Sequence, residues 1–239
     1  MVRYQGGKSF IARQIVAAIV AREGERIERY FEPFVGGAAV AELMAARAGS
    51  MALGDARADM VLMWMAASRG WSPPGEMSRE RYDELRTAEP SPERAFAGSA
   101  MSFGGKWFGG YAEGNNGTRG SALAGRDKVT AAGERLAASR ISWHPGVDFF
   151  DYSSPPRGTV AYLDPPYEGT TGYGDGFDHD RFWKVAESWV LDDVHVYVSE
   201  YAAPPGWRSI WAQRKPVSMS AATNQDFRLE QLFVWGDQC

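Results

Sequence analysis

The chain has 239 residues, 44% of them hydrophobic and 13% aromatic, enough for one sizeable packed domain and too much for a disordered chain. Its 26 Lys and Arg are outnumbered by 30 Asp and Glu, and a net charge of −4 argues against a uniformly basic nucleic-acid binder. The single cysteine, Cys239, excludes an internal disulfide and a cysteine zinc site.

The apolar stretches fall short of a membrane span, and the first residues read as functional rather than as a leader. A cytoplasmic protein without membrane contact is the expectation. Arg3 to Lys8 is a glycine turn that leads into a helix over 9–22, where Ile11, Ile15, Ala18 and Ile19 share one face. A strand follows over 27–31, then a glycine turn, a helix over 40–48, a short strand over 51–53 ending at Gly54-Asp55, and an almost wholly apolar helix over 59–67. This alternation implies a parallel, doubly wound sheet of the Rossmann type. The pattern breaks at Trp71 to Gly75, a turn followed by a polar helical stretch over 78–87. Beyond it, residues 102–126 interleave glycine with Phe103, Trp107, Phe108 and Tyr111. Alternation resumes with a strand over 160–163, a helix over 178–190, a strand over 194–199 and a C-terminal hairpin whose last strand covers 229–235. One α/β domain formed by 1–64 and 151–239, split by an insert over 65–150, is therefore expected. Within that insert, residues 101–145 hold six Lys or Arg against three Asp or Glu, a +3 stretch on an otherwise −7 chain.

The segment richest in chemistry is Asp164-Pro165-Pro166-Tyr167, at the end of the buried-looking run Val160 to Leu163. The prolines fix the backbone and donate no N–H, so neighbouring carbonyls remain free to accept hydrogen bonds. A carboxylate, a free carbonyl and an aromatic face together suit an exocyclic amino group on a flat heterocycle. The plainer reading is a strand-ending turn with Asp164 as a local cap. A mechanism through a covalent thiolate, as methylation of cytosine at C5 requires, is disfavoured because the terminal Cys239 is a poor candidate for an ordered nucleophile.

Three segments in this order resemble the Dam-type (D12 class) adenine-N6 DNA methyltransferases. Arg3-Tyr4-Gln5-Gly6-Gly7-Lys8 is similar to the family's opening Lys-Trp-Ala-Gly-Gly-Lys motif. Phe31-Glu32-Pro33-Phe34-Val35-Gly36-Gly37 is similar to its methionine-binding turn, and Asp164 to Tyr167 to its catalytic tetrapeptide. Tyr4 stands where the family often has Trp, and Ala38-Ala39 where a further glycine is usual; neither change removes a charge. Between Asp59 and Pro155 the resemblance is weak.

The resemblance implies a Rossmann-like fold, S-adenosylmethionine as methyl donor, double-stranded DNA as partner, and no metal. Tyr4, Gly6, Gly7 and Lys8 are then donor-binding, with Lys8 on the donor carboxylate; Glu32, Pro33, Phe34, Gly36 and Gly37 approach the amino-acid portion. Asp55, at the end of the second strand, takes the ribose hydroxyls, or else caps the next helix. Asp164 and the Pro165 carbonyl hold the target amino group, with Pro166 shaping the turn and Tyr167 stacking on the base. Arg3, Lys106, Arg119, Arg126 and Lys128 are candidate DNA contacts. Tyr173 and Phe177 could form a lid, and Asn224, Gln225 and Arg228 in the loop 218–228 could touch DNA. His144, His179 and His195 lack metal-ligand spacing. Cytosine N4 also presents an exocyclic amino group and stays open as acceptor, as does a catalytically inactive binder.

Overall fold

The computed structural model describes residues 7–112, 117–168, 176–216 and 227–236. Arg3, Tyr4, Gly6, Tyr173, Asn224 and Gln225 lie outside the described residues. Helices are α1 (Ala12–Glu23), α2 (Ala41–Met44), α3 (Ala58–Ala67), α4 (Arg79–Arg86), α5 (Pro92–Ser99), α6 (Gly117–Leu136) and α7 (His179–Leu191). Strands are β1 (Ile27–Glu32), β2 (Ala48–Asp55), β3 (Ile141–Pro145), β4 (Val160–Leu163), β5 (His195–Glu200), β6 (Trp207–Pro216) and β7 (Phe227–Trp235).

The strands form a seven-stranded sheet in the order β3-β2-β1-β4-β5-β7-β6. The first five are parallel, and β7 enters antiparallel between β5 and β6. This is a Rossmann-like architecture. The chain builds outward from β1 to β3, then returns to β4 on the other side of β1. The C-terminal ends of β1 and β4 therefore flank a topological switch point, where open α/β sheets bind ligands.

Sequence explains the central strands directly. Val160, Ala161, Tyr162 and Leu163 are all buried, as expected for a parallel strand covered on both faces. Phe31 and Leu163 face α7 through Phe182, Ala186 and Trp189, while Tyr30, Met51 and Leu53 face the layer of α1, α2, α3 and α6. α1 buries Ile15, Val16 and Ile19 and stops at Gly24, whose φ of 87° lets its N–H reach the Val20 carbonyl at 2.8 Å. α4 and α5 start at serine caps, Ser78 accepting from the Arg81 N–H and Ser91 from the Arg94 N–H.

The stretch between β2 and β3 differs from the expected insert at both ends. α3 continues to Ala67, and Ile141–Pro145 is a hydrogen-bonded edge strand of the sheet, so both belong to the α/β body. α6, unforeseen in the sequence, packs on α2 and α3. It is pinned by Arg135, which bonds the buried Glu42 at 2.7 Å. α4, α5 and the aromatic-glycine loop extend the same core, α5 packing on α3 and Arg94 bonding the buried Asp59 at 2.8 Å. The expected helix over 40–48 shrinks to four residues because Ala48 already pairs with Ile27 in the sheet.

α6 approaches α3 closely enough that a Cβ on Gly133 would lie 2.6 Å from the Ala67 backbone. Gly133→Ala is expected to destabilise the fold by about 1–3 kcal/mol through overpacking. Thermal unfolding should show this as a midpoint lowered by about 2–4 °C per kcal/mol. An unchanged midpoint would mean that the two helices part freely.

Candidate active site

Asp164 follows β4 directly, and Glu32 closes the neighbouring β1, paired through Phe31 and Ala161. Into this crevice the N-terminal segment inserts Lys8, only 5% exposed. Its Nζ lies 2.6 Å from Asp164 Oδ1 and 3.4 Å from Glu230 Oε1. Nζ also sits 4.5 Å from the centroid of the Tyr167 ring. The Tyr167 hydroxyl donates to Glu230 Oε1, and its ring meets Tyr201 edge-on at 4.7 Å. Three distant parts of the chain thus converge on one buried ammonium: the start, the Asp164 turn and β7.

Burial works against charge on both partners. It raises the Asp164 pKa above the usual carboxylate value, and the Lys8 ammonium and its hydrogen bond pull it back. Burial would lower the Lys8 pKa, but Asp164 and Glu230 outweigh it, and the value ends above normal. Lys8 is therefore an ammonium at neutral pH and holds the carboxylates beside it. Within the protein its carboxylate partners are Asp164 and Glu230.

The glycine turn after β1 lies against the end of β2. Gly36, at φ 40°, donates its N–H to Asp55 Oδ2 at 2.9 Å, and the Arg57 N–H donates to Oδ1 at 2.8 Å. The Gly36 carbonyl accepts from the Trp64 indole at 2.8 Å, and the Val35 N–H donates to the Gly54 carbonyl at 2.8 Å. Each Asp55 oxygen keeps a second lone pair, so the carboxylate can still accept from a diol. Phe34 stacks on Phe149 at 5.1 Å within an aromatic group that includes Phe177 and Phe182. Glu32 is 2% exposed and accepts the Tyr30 hydroxyl at 2.6 Å. Burial lifts its pKa well above the usual carboxylate value, against the pull of the Tyr30 hydroxyl.

Burial also raises the Asp55 pKa to about 6, against the pull of the Arg57 and Gly36 N–H groups. Its charge is present above that value and is lost as pH falls through it. Affinity for a ribose-bearing donor is therefore expected to be constant from pH 8 to 7 and to weaken below about pH 6. Calorimetric titration of S-adenosylmethionine across this range checks it; an Asp55→Asn protein should show no such acid limb.

Two residues of the cluster, Glu230 and Glu200, escaped the reading of the sequence. Glu200 ends β5 as Asp164 follows β4, and it accepts from the Tyr201 N–H at 2.7 Å and the Glu168 N–H at 3.4 Å. Burial lifts its pKa to about 7. An acid at the end of an apolar strand was the available signal.

The DNA-contact candidates are not brought together with this cluster. Lys106 and Lys128 are exposed, Arg126 is half-buried and bonds Asp127, and for Arg119 only the helical backbone is described. Of the four loop aromatics only Phe103 is exposed. Trp107 carries Arg57 at 4.1 Å, Phe108 is buried, and the Tyr111 hydroxyl donates to the Met77 carbonyl. Arg228 lies 5.1 Å from the Tyr201 ring centroid. Among the described residues there is no group of three or more His, Cys, Asp or Glu that could hold a metal, and no helix long and apolar enough to cross a membrane.

No curated protein matches the chain. Among solved structures it is similar to TrmN from Thermus thermophilus, with 13% identity over 94% of this chain and 47% of that one and a TM-score of 0.37. It thus spans about half the length of TrmN. It is also similar to the yhhF protein of Escherichia coli, with 12% identity, 95% and 87% coverage and a TM-score of 0.36. A third is the precorrin 8W decarboxylase of Methanobacterium thermoautotrophicum, with 8% identity, 93% and 89% coverage and a TM-score of 0.38. Residues 4–89, which hold Lys8, the Phe31 to Gly37 turn and Asp55, match the family model for D12 class N6 adenine-specific DNA methyltransferases. That match is to the N-terminal part of the chain, which is thus similar to the D12 class of adenine-specific DNA methyltransferases.

Proposed function

We propose that this chain transfers the methyl group of S-adenosylmethionine to N6 of an adenine in a specific sequence of double-stranded DNA. The observation that carries the reading is that Asp164, just after β4, and the Gly36–Asp55 turn, at the ends of β1 and β2, flank the switch point of the sheet. The donor, when bound, supplies an electrophilic sulfonium methyl. Asp55 fits its ribose, since both carboxylate oxygens retain acceptor capacity, and the glycine turn fits its amino-acid portion.

The adenine N6 lone pair is delocalised into the ring and is a poor nucleophile. Asp164 accepts a hydrogen bond from one N6 hydrogen and the Pro165 carbonyl from the other, localising the lone pair toward the methyl. As the N–C bond forms and the S–C bond breaks, positive charge grows on N6, and the carboxylate stabilises it. Lys8 does not touch the acceptor in this scheme. It is a positioning residue that keeps Asp164 ionised and fixed, and Glu230 anchors both Lys8 and the Tyr167 hydroxyl. A paired adenine cannot present N6 to a donor in this crevice, so the base must be flipped out at a cost of a few kcal/mol. Tyr167 stacks on it, returning roughly 1–3 kcal/mol.

Incubation with tritiated S-adenosylmethionine and mixed DNA, followed by nucleoside analysis, tests the reading. N6-methyladenine supports it, N4-methylcytosine moves the acceptor to cytosine, and no labelled base removes the activity. DNA is expected to meet the side of α4, α5, the aromatic-glycine loop and the exposed face of α6. Lys106→Ala and Lys128→Ala should each lower the slope of log K against log salt by about 0.9 if the residue contacts a phosphate. An unchanged slope in both would move the DNA path away from this face.

A further inference from the structure

The face of the sheet opposite α1–α3 is covered by α7 over β4 and β5. α7 also reaches Phe31 on β1, while over β2 and β3 the described residues that roof it are those of the segment 152–156, which leaves a pocket of about 540 Å³. That volume is typical of small-molecule sites. Side-chain alternation sets its floor. Arg29 pairs in register with Ser50, and Met51 with Ile141, so Arg29, Ser50 and Arg140 form one row across three neighbouring strands. At strand spacing the two arginine Cα atoms are about 10 Å apart, within reach of one anion between them. The next row is Phe31, Ala52 and Ser142, a mostly apolar shelf. Tyr152 closes the far end, packed edge-on to Phe31 at 5.0 Å and tilted against His144 at 5.6 Å.

Two observations point to an anion. No acidic side chain lines the pocket, in a chain of net charge −4. Three buried polar atoms that lack a hydrogen-bond partner among the described residues belong to residues lining it: Arg29 Nε, the Tyr152 hydroxyl and the Ser154 hydroxyl. All three can donate. Buried donors are ordinarily satisfied, so such a cluster calls for an acceptor. Arg29 is also held in place, its Nη1 on Glu28 at 2.9 Å and its Nη2 on the Arg157 carbonyl at 2.7 Å.

We propose that this pocket binds a small phosphate ester with a flat apolar body, of nucleoside monophosphate size. The phosphate lies between Arg29 and Arg140 and the body lies on the Phe31–Ala52 shelf. The site is separate from the Lys8–Asp164 cluster and does not rest on the methyltransferase reading. Titration calorimetry of the whole chain with uridine 5′-monophosphate, uridine and inorganic phosphate tests it. The nucleotide is expected to bind at one site, with uridine at least about tenfold weaker for lack of the charge-assisted bonds. Arg140→Ala should weaken the nucleotide about tenfold, and Ser154→Ala about three- to tenfold. Arg140 is exposed and directly precedes the edge strand β3, and an unchanged melting point will show that its loss leaves the fold intact. Asp164→Ala should leave nucleotide binding unchanged. No saturable binding, or binding that survives Arg140→Ala but not Asp164→Ala, overturns the proposal.

Discussion

Asp164→Ala is expected to lower methyl transfer by about 100- to 1000-fold, equivalent to about 2.7–4 kcal/mol of lost transition-state stabilisation. The side chain acts on the acceptor, so affinity for S-adenosylmethionine should change little. Removing it also leaves Lys8 beside Glu230, 3.4 Å away. Asp164→Asn separates the two effects, because it keeps one acceptor oxygen and removes the charge. A similar loss in both variants, with donor binding intact by calorimetry, assigns the effect to charge at the acceptor. A variant that keeps more than half the wild-type rate would sink the assignment.

Lys8→Ala is expected to be the most damaging change to the fold. It leaves Asp164 and Glu230 buried without their shared cation, and breaking a buried ion pair from one side costs about 3–5 kcal/mol. For a chain of this length that corresponds to a melting point lower by roughly 6–20 °C. The pH dependence has a definite sign. Lys8 has a raised pKa, so its contribution is complete below the unfolded lysine value and is fully present at pH 7. Asp164 also has a raised pKa, so the folded state holds its proton more tightly than the unfolded state does, and ionised Asp164 weakens the fold as pH rises. Without Lys8 that penalty grows. The deficit of the variant should therefore be largest at pH 7 and shrink on acidification. Lys8→Met combined with Asp164→Asn should recover much of the stability and none of the activity. A Lys8→Ala protein that melts like the wild type would show that the pair contributes nothing to the fold.

What the sequence disclosed depended on whether a local pattern existed to be seen. Val160 to Leu163 was legible because a strand buried on both faces is an unbroken apolar run, here ended by two prolines. The Rossmann-like alternation was legible for the same reason. α6 was not, because its buried positions are Ala122, Val129, Ala132 and Leu136 among glycines, small residues that leave little periodic contrast. β3 was hidden by its brevity, its half-exposed edge position and its closing His-Pro. β7 inverts the ordinary pattern at one point. Glu230 is 1% exposed and Leu229 is 42% exposed, because the inward side there faces the polar crevice rather than the core. The partnership of Lys8 with Asp164 had no local signature: 156 positions separate them, and only the sheet order brings them together.

That separation also bears on how the molecule acquires its activity. Lys8 lies 222 positions before Glu230, so the cluster is among the most non-local assemblies in the chain, and contacts of this kind form late because a long loop must close first. β4 alone presents Asp164, but the carboxylate that anchors Lys8 and the Tyr167 hydroxyl comes from β7. β1 to β5 without β7 would thus be a sheet with an unfinished crevice, and the cluster is complete only with β7 in its place between β5 and β6.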